Sequence, residues 1–212
     1  ADAAHELRSR LAALKVQAEV LAMSSDEAEQ QHHLGNIHES IDRANRLTEQ
    51  LLTLARLDPM QALPDAQPID WQRSAHQALQ SVNLQAREKR VQLKLECACG
   101  FGQVFPPLGN EVLLQLMLRN LLDNAIRYSP PNSHVTLTLA ANGLSVCDEG
   151  PGIAAEHLPR IRERFYRPPG QSQQGSGLGL SIVKRIADLH GLRLDLANAD
   201  ERGLCVHMIK AV

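Results

Sequence analysis

Asn120 and Asn124 stand four residues apart in a stretch whose Leu114, Met117, Leu118, Leu121 and Ala125 recur at helical spacing, so both amides share one helix face. Asparagine is a mediocre helix former, and two in mid-helix call for an explanation. An amide oxygen is a hard, neutral ligand that can complete a Mg²⁺ shell otherwise made of phosphate oxygens and water. The bland alternative is that both amides are solvated or bond locally. Arg127 and Tyr128 close the same stretch. Further on, Asp148-Glu149-Gly150-Pro151-Gly152 stands where a strand should end. An aspartate there can accept a hydrogen bond from an exocyclic amine, and the glycines let backbone approach a flat ligand. Taken alone it is an ordinary turn.

Gly175-Ser176-Gly177-Leu178-Gly179 opens another helix, where unshielded N–H groups favour phosphate. It is not a Walker loop, because no Gly-Lys-Ser/Thr follows, and no strand precedes it as a dinucleotide fingerprint requires. Between the two glycine turns lie Arg160, Arg162, Arg164 and Arg167, with Pro168-Pro169. So long a connection is usually functional, often a lid, and its charge would offset a polyphosphate. Near the start, His5 and Glu6 are adjacent on a helical pattern. A neutral imidazole is a competent nucleophile and the carboxylate can take its proton, although a lone His-Glu pair is ordinarily solvated.

These groups need elements to hold them. Leu7, Leu11, Leu14, Ala18 and Leu21 recur at steps of four and three, the seam of a helix that packs on other helices. Ser24, Ser25 and Asp26 interrupt it, and Asp26 can cap a second helix. That helix carries Leu34, Ile37, Ile41, Ala44, Thr48 and Leu51 and runs to about residue 57. A two-helix hairpin cannot enclose a core alone, so a four-helix bundle made with a second copy is expected. The boundaries expected are a hairpin over 1–58, a Pro-rich linker over 59–68, and a second domain over 69–212. In the second domain, helices are expected near 71–89, 111–127 and 178–190. Strands are expected near 91–96, across an antiparallel hairpin turning at Asn142-Gly143, and near 193–197 and 204–210. This order implies an α+β layer sandwich.

Composition narrows the function. Lys plus Arg is 22 against Asp plus Glu at 24, which excludes a globally basic nucleic-acid binder. No apolar run reaches the roughly 18 residues of a membrane span, and no signal segment opens the chain. Cys97, Cys99, Cys147 and Cys205 fit no zinc or disulfide framework, so a reduced, cytosolic chain is the simplest expectation. His32, His33 and His38 lack metal-pair spacing and read as a solvated face.

Taken together and in order, these groupings resemble the boxes of sensor histidine kinases, whose ATP domain is of the Hsp90 and MutL type. Residues 111–128 resemble the N box, Asp148 to Gly152 the first glycine box, Arg164-Phe165-Tyr166 the F box, and Gly175 to Gly179 the second glycine box. His5-Glu6-Leu7-Arg8-Ser9 resembles the phosphoacceptor H box, and phrases such as RFYRPPGQ look most like the quorum-sensing type. The resemblance implies an all-α hairpin, a four-helix bundle as dimer, followed by the ATPase-type layer sandwich. It implies ATP and Mg²⁺ as cofactors, with Asn120 and Asn124 at the metal and phosphates. Asp148 would bind the adenine amine, and Gly150, Gly152, Arg127 and Tyr128 would line the nucleotide. Arg164, Phe165, Tyr166, Gly175, Ser176, Gly177, Leu178 and Gly179 would close over it. His5 would attack the γ-phosphoryl with Glu6 as base, and pass it to an aspartate on a response regulator receiver domain of the OmpR type. Ser9 would bear on phosphatase activity toward that regulator. The resemblance also implies the cytoplasmic portion of a bacterial inner-membrane sensor, joined to the membrane only through segments outside this chain, and no nucleic-acid partner.

One position departs from the family. Arg10 stands where these kinases usually have proline, so the backbone donor and a straight helix are restored. The expectation is reduced bending and a shifted balance between kinase and phosphatase states, which unchanged rates after Arg10→Pro would exclude. Two rivals are a clamp ATPase of the Hsp90 or MutL class and a dimeric nucleotide-binding scaffold without phosphoryl transfer. The clamp would lack the hairpin and would want a glutamate where Asn120 stands.

Overall fold

The computed structural model describes residues 2–24, 26–170, 173, 175–199 and 202–211, and for residues 2–10 the backbone alone. The side chains of His5, Glu6, Leu7, Ser9 and Arg10 therefore lie outside the described residues, as does Ser25. The chain divides into two compact units, residues 1–56 and 57–212.

In the first unit, α1 (Asp2–Met23) and α2 (Glu27–Leu57) form the expected hairpin. α1 runs through Arg10 without a break, as its backbone donor allows. Asp26 caps α2 through Oδ2, which accepts from Glu29 N at 3.2 Å. The contact inside one hairpin runs beside the expected seam. Ser40 and Leu47 are buried, and Ser40 Oγ donates to Gln17 Oε1 at 3.0 Å. Leu11, Leu34 and Ile41 stay exposed, at 55%, 38% and 41%. The seam is expected to close only in a bundle of two copies, and these positions stand open in one.

The second unit carries β1 (Gln67–Pro68), α3 (Trp71–Glu88), β2 (Gln92–Cys97), β3 (Leu108–Gly109), α4 (Glu111–Tyr128), β4 (His134–Ala140), β5 (Gly143–Asp148), α5 (Gly179–Leu189), β6 (Leu192–Asn198) and β7 (Leu204–Lys210). β1 pairs with β3, and the other strands form one sheet in the order β2-β4-β5-β7-β6. Val135, Leu137 and Leu139 of β4 alternate inward, as do Leu144 and Val146 of β5 and Val206 and Met208 of β7. They pack under Leu114, Met117, Leu118, Leu121 and Leu122 of α4, with α3 and α5 beside them. Each helix start has its own device. Asp70 Oδ1 caps α3 at Arg73 N (3.0 Å), and Asn110 Oδ1 caps α4 at Leu113 N (3.1 Å). At the far end of α5, buried His190 accepts Asn110 N at Nε2 (3.1 Å) and donates from Nδ1 to Ile186 O (2.8 Å), locking α5 to the start of α4. Burial lowers its pKa, which keeps the ring neutral for both bonds.

The β2–β4 pair is parallel, because the crossover between them carries α4, so the sheet is mixed. Three expectations need correction. The hairpin loop is Ala141-Asn142, one residue early: Gly143 already pairs with Ala140, and its glycine serves the approach of β7, since a Cβ there would lie 1.9 Å from Met208 O. The segment expected to be a linker belongs to the second unit. Arg185 Nε donates to Leu57 O at 3.1 Å, Asn110 Nδ2 donates to Pro64 O at 3.2 Å, and Gln67 pairs with Gly109. Finally, the cysteines are not all reduced: Cys147 and Cys205 form a disulfide (S–S 2.06 Å) across directly opposed positions of β5 and β7. A cross-strand pair 58 residues apart leaves no local spacing signal. Among the described residues, no helix is long and apolar enough to cross a membrane.

Candidate functional site

α4 and the start of α5 bring the polar residues together. Asn120 Nδ2 donates back to Leu116 O at 2.8 Å, which turns its Oδ1 outward. Asn124 has no side-chain hydrogen bond among the described residues. Both amides lie against Gly179, where a Cβ would stand 3.1 Å from Asn124 Nδ2 and 3.5 Å from Asn120 Oδ1. A side chain at 179 would crowd both amides. α5 begins there with no side-chain cap, so its first N–H groups face the cradle end unshielded by a side chain. Among the described residues there is no cluster of three or more His, Cys, Asp or Glu able to hold a metal. Two neutral amides beside a helix N-terminus therefore fit a Mg²⁺ whose charge is met mainly by phosphates.

Asp148 ends β5, only 7% exposed. Its Oδ1 accepts from Gly150 N at 2.8 Å and from Leu204 N at 3.2 Å, leaving Oδ2 as the acceptor for a ligand. Burial pushes its pKa above the usual aspartate value, against the opposing pull of those two donors. Gly150 passes so close to Tyr128 that a Cβ would lie 2.7 Å from Tyr128 O, and Gly152 has φ +71°. Glu149 turns away, to His134 Nδ1 (3.1 Å) and Arg202 Nη2 (3.0 Å).

The lid closes on itself at its roots. Phe165, with φ +63°, donates its N–H to Gly177 O at 3.0 Å, and a Cβ on Gly177 would meet Phe165 Cα at 2.7 Å. Arg127 Nη1 lies 3.3 Å from where a Gly175 Cβ would be, so the second glycine turn reaches α4. Ser176 Oγ accepts from Leu178 N at 3.2 Å. Three residues of the expected set are placed differently. Leu178 is fully buried, so only its backbone can serve a ligand. Arg164 pairs with Asp58 at 2.6 Å, and Tyr166 bonds His157 Nδ1 at 2.8 Å under the Arg160 guanidinium, 4.1 Å from the ring centre. Their side-chain hydrogen bonds are made to the lid and to the segment after α2.

Two residues escaped sequence reasoning. Lys89 donates from Nζ to Ile126 O at 2.9 Å and to Arg127 O, capping the last turn of α4. Burial and the neighbouring Arg127 lower its pKa. It lines a cavity of about 670 Å³ shared with Tyr128, Gly150 and Arg202. Asn198 clamps the first glycine turn, donating to Ile153 O (2.8 Å) and accepting from Ile153 N (2.9 Å). Both act from afar on backbone, which no motif marks.

A mixed sheet under three helices with a lidded cradle of amides and glycines defines an ATP-binding domain, and a helical hairpin precedes it in the chain. Family comparison agrees with each half. Residues 109–211 match the histidine kinase-, DNA gyrase B-, and HSP90-like ATPase family, and residues 1–59 match the His Kinase A (phospho-acceptor) domain. The chain is 49% identical over 203 residues to the sensor protein QseC of Salmonella typhi, covering 95% of this chain and 44% of that relative. It thus spans under half the length of that protein. Among solved structures it resembles the cytoplasmic segment of histidine kinase QseC, with 34% identity, TM-score 0.56, and 80% and 93% of the two chains covered. It also resembles full-length ShkA in complex with AMPPNP, with 25% identity, TM-score 0.68, and 98% and 45% covered. This chain belongs to the sensor histidine kinase family, and its likeness is to the QseC type.

Proposed function

We propose that this chain is the catalytic portion of a two-component sensor kinase, which transfers the γ-phosphoryl of ATP to His5 and then to an aspartate on a response regulator. The observation that carries the reading is the convergence of the Asn120 and Asn124 amides on the uncapped start of α5 at Gly179. Asp148 Oδ2 accepts from the adenine amine while Gly150 and Gly152 admit the ring edge. Asn120 and Asn124 hold Mg²⁺, which supplies charge neutralisation at the transferring phosphoryl group. The Gly175 to Gly179 turn and Arg127 orient the phosphates, and Arg164, released from Asp58, closes the lid. At the reacting end a His5 nitrogen forms the new N–P bond, the bond to the ADP oxygen breaks, and Glu6 takes the imidazole proton. Most of the rate comes from positioning and charge stabilisation.

A second copy of the chain is the partner expected for the hairpin. Leu11, Leu34 and Ile41 are exposed in one copy, and packing two hairpins buries such a stripe. The receiver domain of an OmpR-type regulator takes the phosphoryl group, and phosphatase activity toward it involves Ser9. The likeness to the cytoplasmic segment of histidine kinase QseC supports a place on the cytoplasmic side of a membrane, reached through segments outside this chain. Incubating the chain with γ-labelled ATP and then with purified receiver domains tests the reading. Label that appears on the kinase and moves to a receiver aspartate is expected, and nucleotide binding without any label on the kinase would refute it.

A further inference from the structure

The disulfide sits at one particular place in the sheet. Cys147 and Cys205 are the last opposed pair of the β5–β7 ladder, which runs back to Gly143 and Ile209. The next residue along β5 is Asp148, and the residue before Cys205 is Leu204, whose N–H donates to Asp148 Oδ1 at 3.2 Å. Gly203 packs so tightly on the same corner that a Cβ would lie 1.8 Å from Asp148 O. The start of β7 is thus part of the wall that orients the Asp148 carboxylate. Val146 and Val206 face the helices, so Cys147 and Cys205 point to the opposite face of the sheet, and both are half-buried rather than sealed. Cys97 and Cys99 are free and stand at the end of β2, an edge strand on the other side of β4.

We propose that Cys147 and Cys205 form a thiol–disulfide modification site whose state sets the nucleotide affinity of the pocket through the Leu204–Asp148 contact. The inference rests on the nucleotide reading of that pocket. In a reducing compartment a cross-strand disulfide is ordinarily a sensing or transient bond rather than a permanent staple. The exchange balances with a low-molecular-weight disulfide of the glutathione class. One thiolate attacks it to give a mixed disulfide, the second cysteine displaces the bound thiol, and two external thiols are released as the two cysteines lose two electrons and two protons. Oxidised, the bond ties the terminal ladder pair and holds Leu204 N–H on Asp148. Reduced, this rung loses its covalent tie and is held only through the neighbouring rungs, at the end of the strand where fraying begins. The carboxylate then loses a fixed donor and its orientation toward the adenine amine.

The test equilibrates the whole chain in glutathione buffers of rising oxidation, then splits each sample. One half is alkylated and weighed to count free thiols, and the other is titrated with a fluorescent ATP analogue. We expect a shift from four alkylated cysteines to two, with Cys97 and Cys99 carrying the label, and a dissociation constant at least threefold lower in the oxidised form. The Cys147→Ser, Cys205→Ser double variant should bind like the reduced chain at every buffer ratio. Four reactive thiols under all conditions would overturn the proposal, as would equal affinity in chains shown by mass to be oxidised and reduced. Failure of both forms to bind the analogue would instead strike the nucleotide reading first, and the proposal with it, while the thiol count would still report whether the bond forms.

Discussion

Arg164 Nη2 lies 2.6 Å from Asp58 Oδ1, so the arginine at the root of the lid is held by the segment that follows α2. The same segment is gripped by Arg185, which donates to Leu57 O, Asp58 O and Met60 O. In the proposed cycle a nucleotide must draw Arg164 away from Asp58. Both side chains are partly exposed, so the pair is worth only about 0.2–1 kcal/mol. Asp58→Asn should accordingly raise nucleotide affinity by up to about fivefold at low salt. The gain should fade near 1 M salt, where the screening length falls to about 3 Å. Titrations of both chains at two ionic strengths check this, and equal affinities at low salt would remove Arg164 from the lid's working parts.

The two glycines of the second turn should fail differently when given a methyl group. Gly177 has φ +71° and a Cβ there would meet Phe165 backbone at 2.7 Å, so Gly177→Ala should destabilise the lid root and the fold by about 1–3 kcal/mol. Gly179 has ordinary helical backbone, and its Cβ would meet only the Asn120 and Asn124 amides, at 3.1 Å or more. Gly179→Ala should therefore leave thermal stability nearly unchanged and weaken nucleotide binding about tenfold or more. Denaturation curves beside binding titrations separate the two, and an unaltered affinity in Gly179→Ala would dismiss the amide cradle.

On the proposed reading, Asp148 makes nucleotide binding pH-dependent. Burial raises its pKa above the usual value of about 3.9. The folded chain thus takes up this proton more readily than the unfolded chain. The group favours folding as pH falls from the raised value toward the ordinary one, and opposes it above. Adenine needs the ionised acceptor, so affinity should fall as pH drops through that same window. Asp148→Asn keeps an oxygen for Gly150 N and Leu204 N, and should match or exceed the parent's stability at pH 7 while lowering affinity about 10- to 100-fold, the worth of a charged hydrogen bond. Binding by Asp148→Asn that matches the parent chain would contradict this role.

Much of this was legible in the sequence because the signals are local. The α4 stripe with Asn120 and Asn124 on one face, the alternation in β4 and β5, and the glycines flanking the lid each act within a few residues of themselves. What escaped acts across the chain. Lys89 reaches the end of α4 from 37 positions away, Asn198 reaches Ile153 from 45, and Cys205 reaches Cys147 from 58. Their partners are backbone groups or an opposed strand, and neither leaves a spacing pattern. The contact inside the hairpin escaped for a related reason, since it includes Ser40, bonded to Gln17, on a stripe that apolar spacing does not mark.

The central claim is that ATP phosphorylates His5. Incubation of the chain with γ-labelled ATP and Mg²⁺, followed by acid and base treatment, tests it most directly, with His5→Gln run alongside. The account predicts label that survives base, is lost in acid, and is absent from His5→Gln, which should bind nucleotide as the parent does. Label of undiminished intensity on His5→Gln would contradict it.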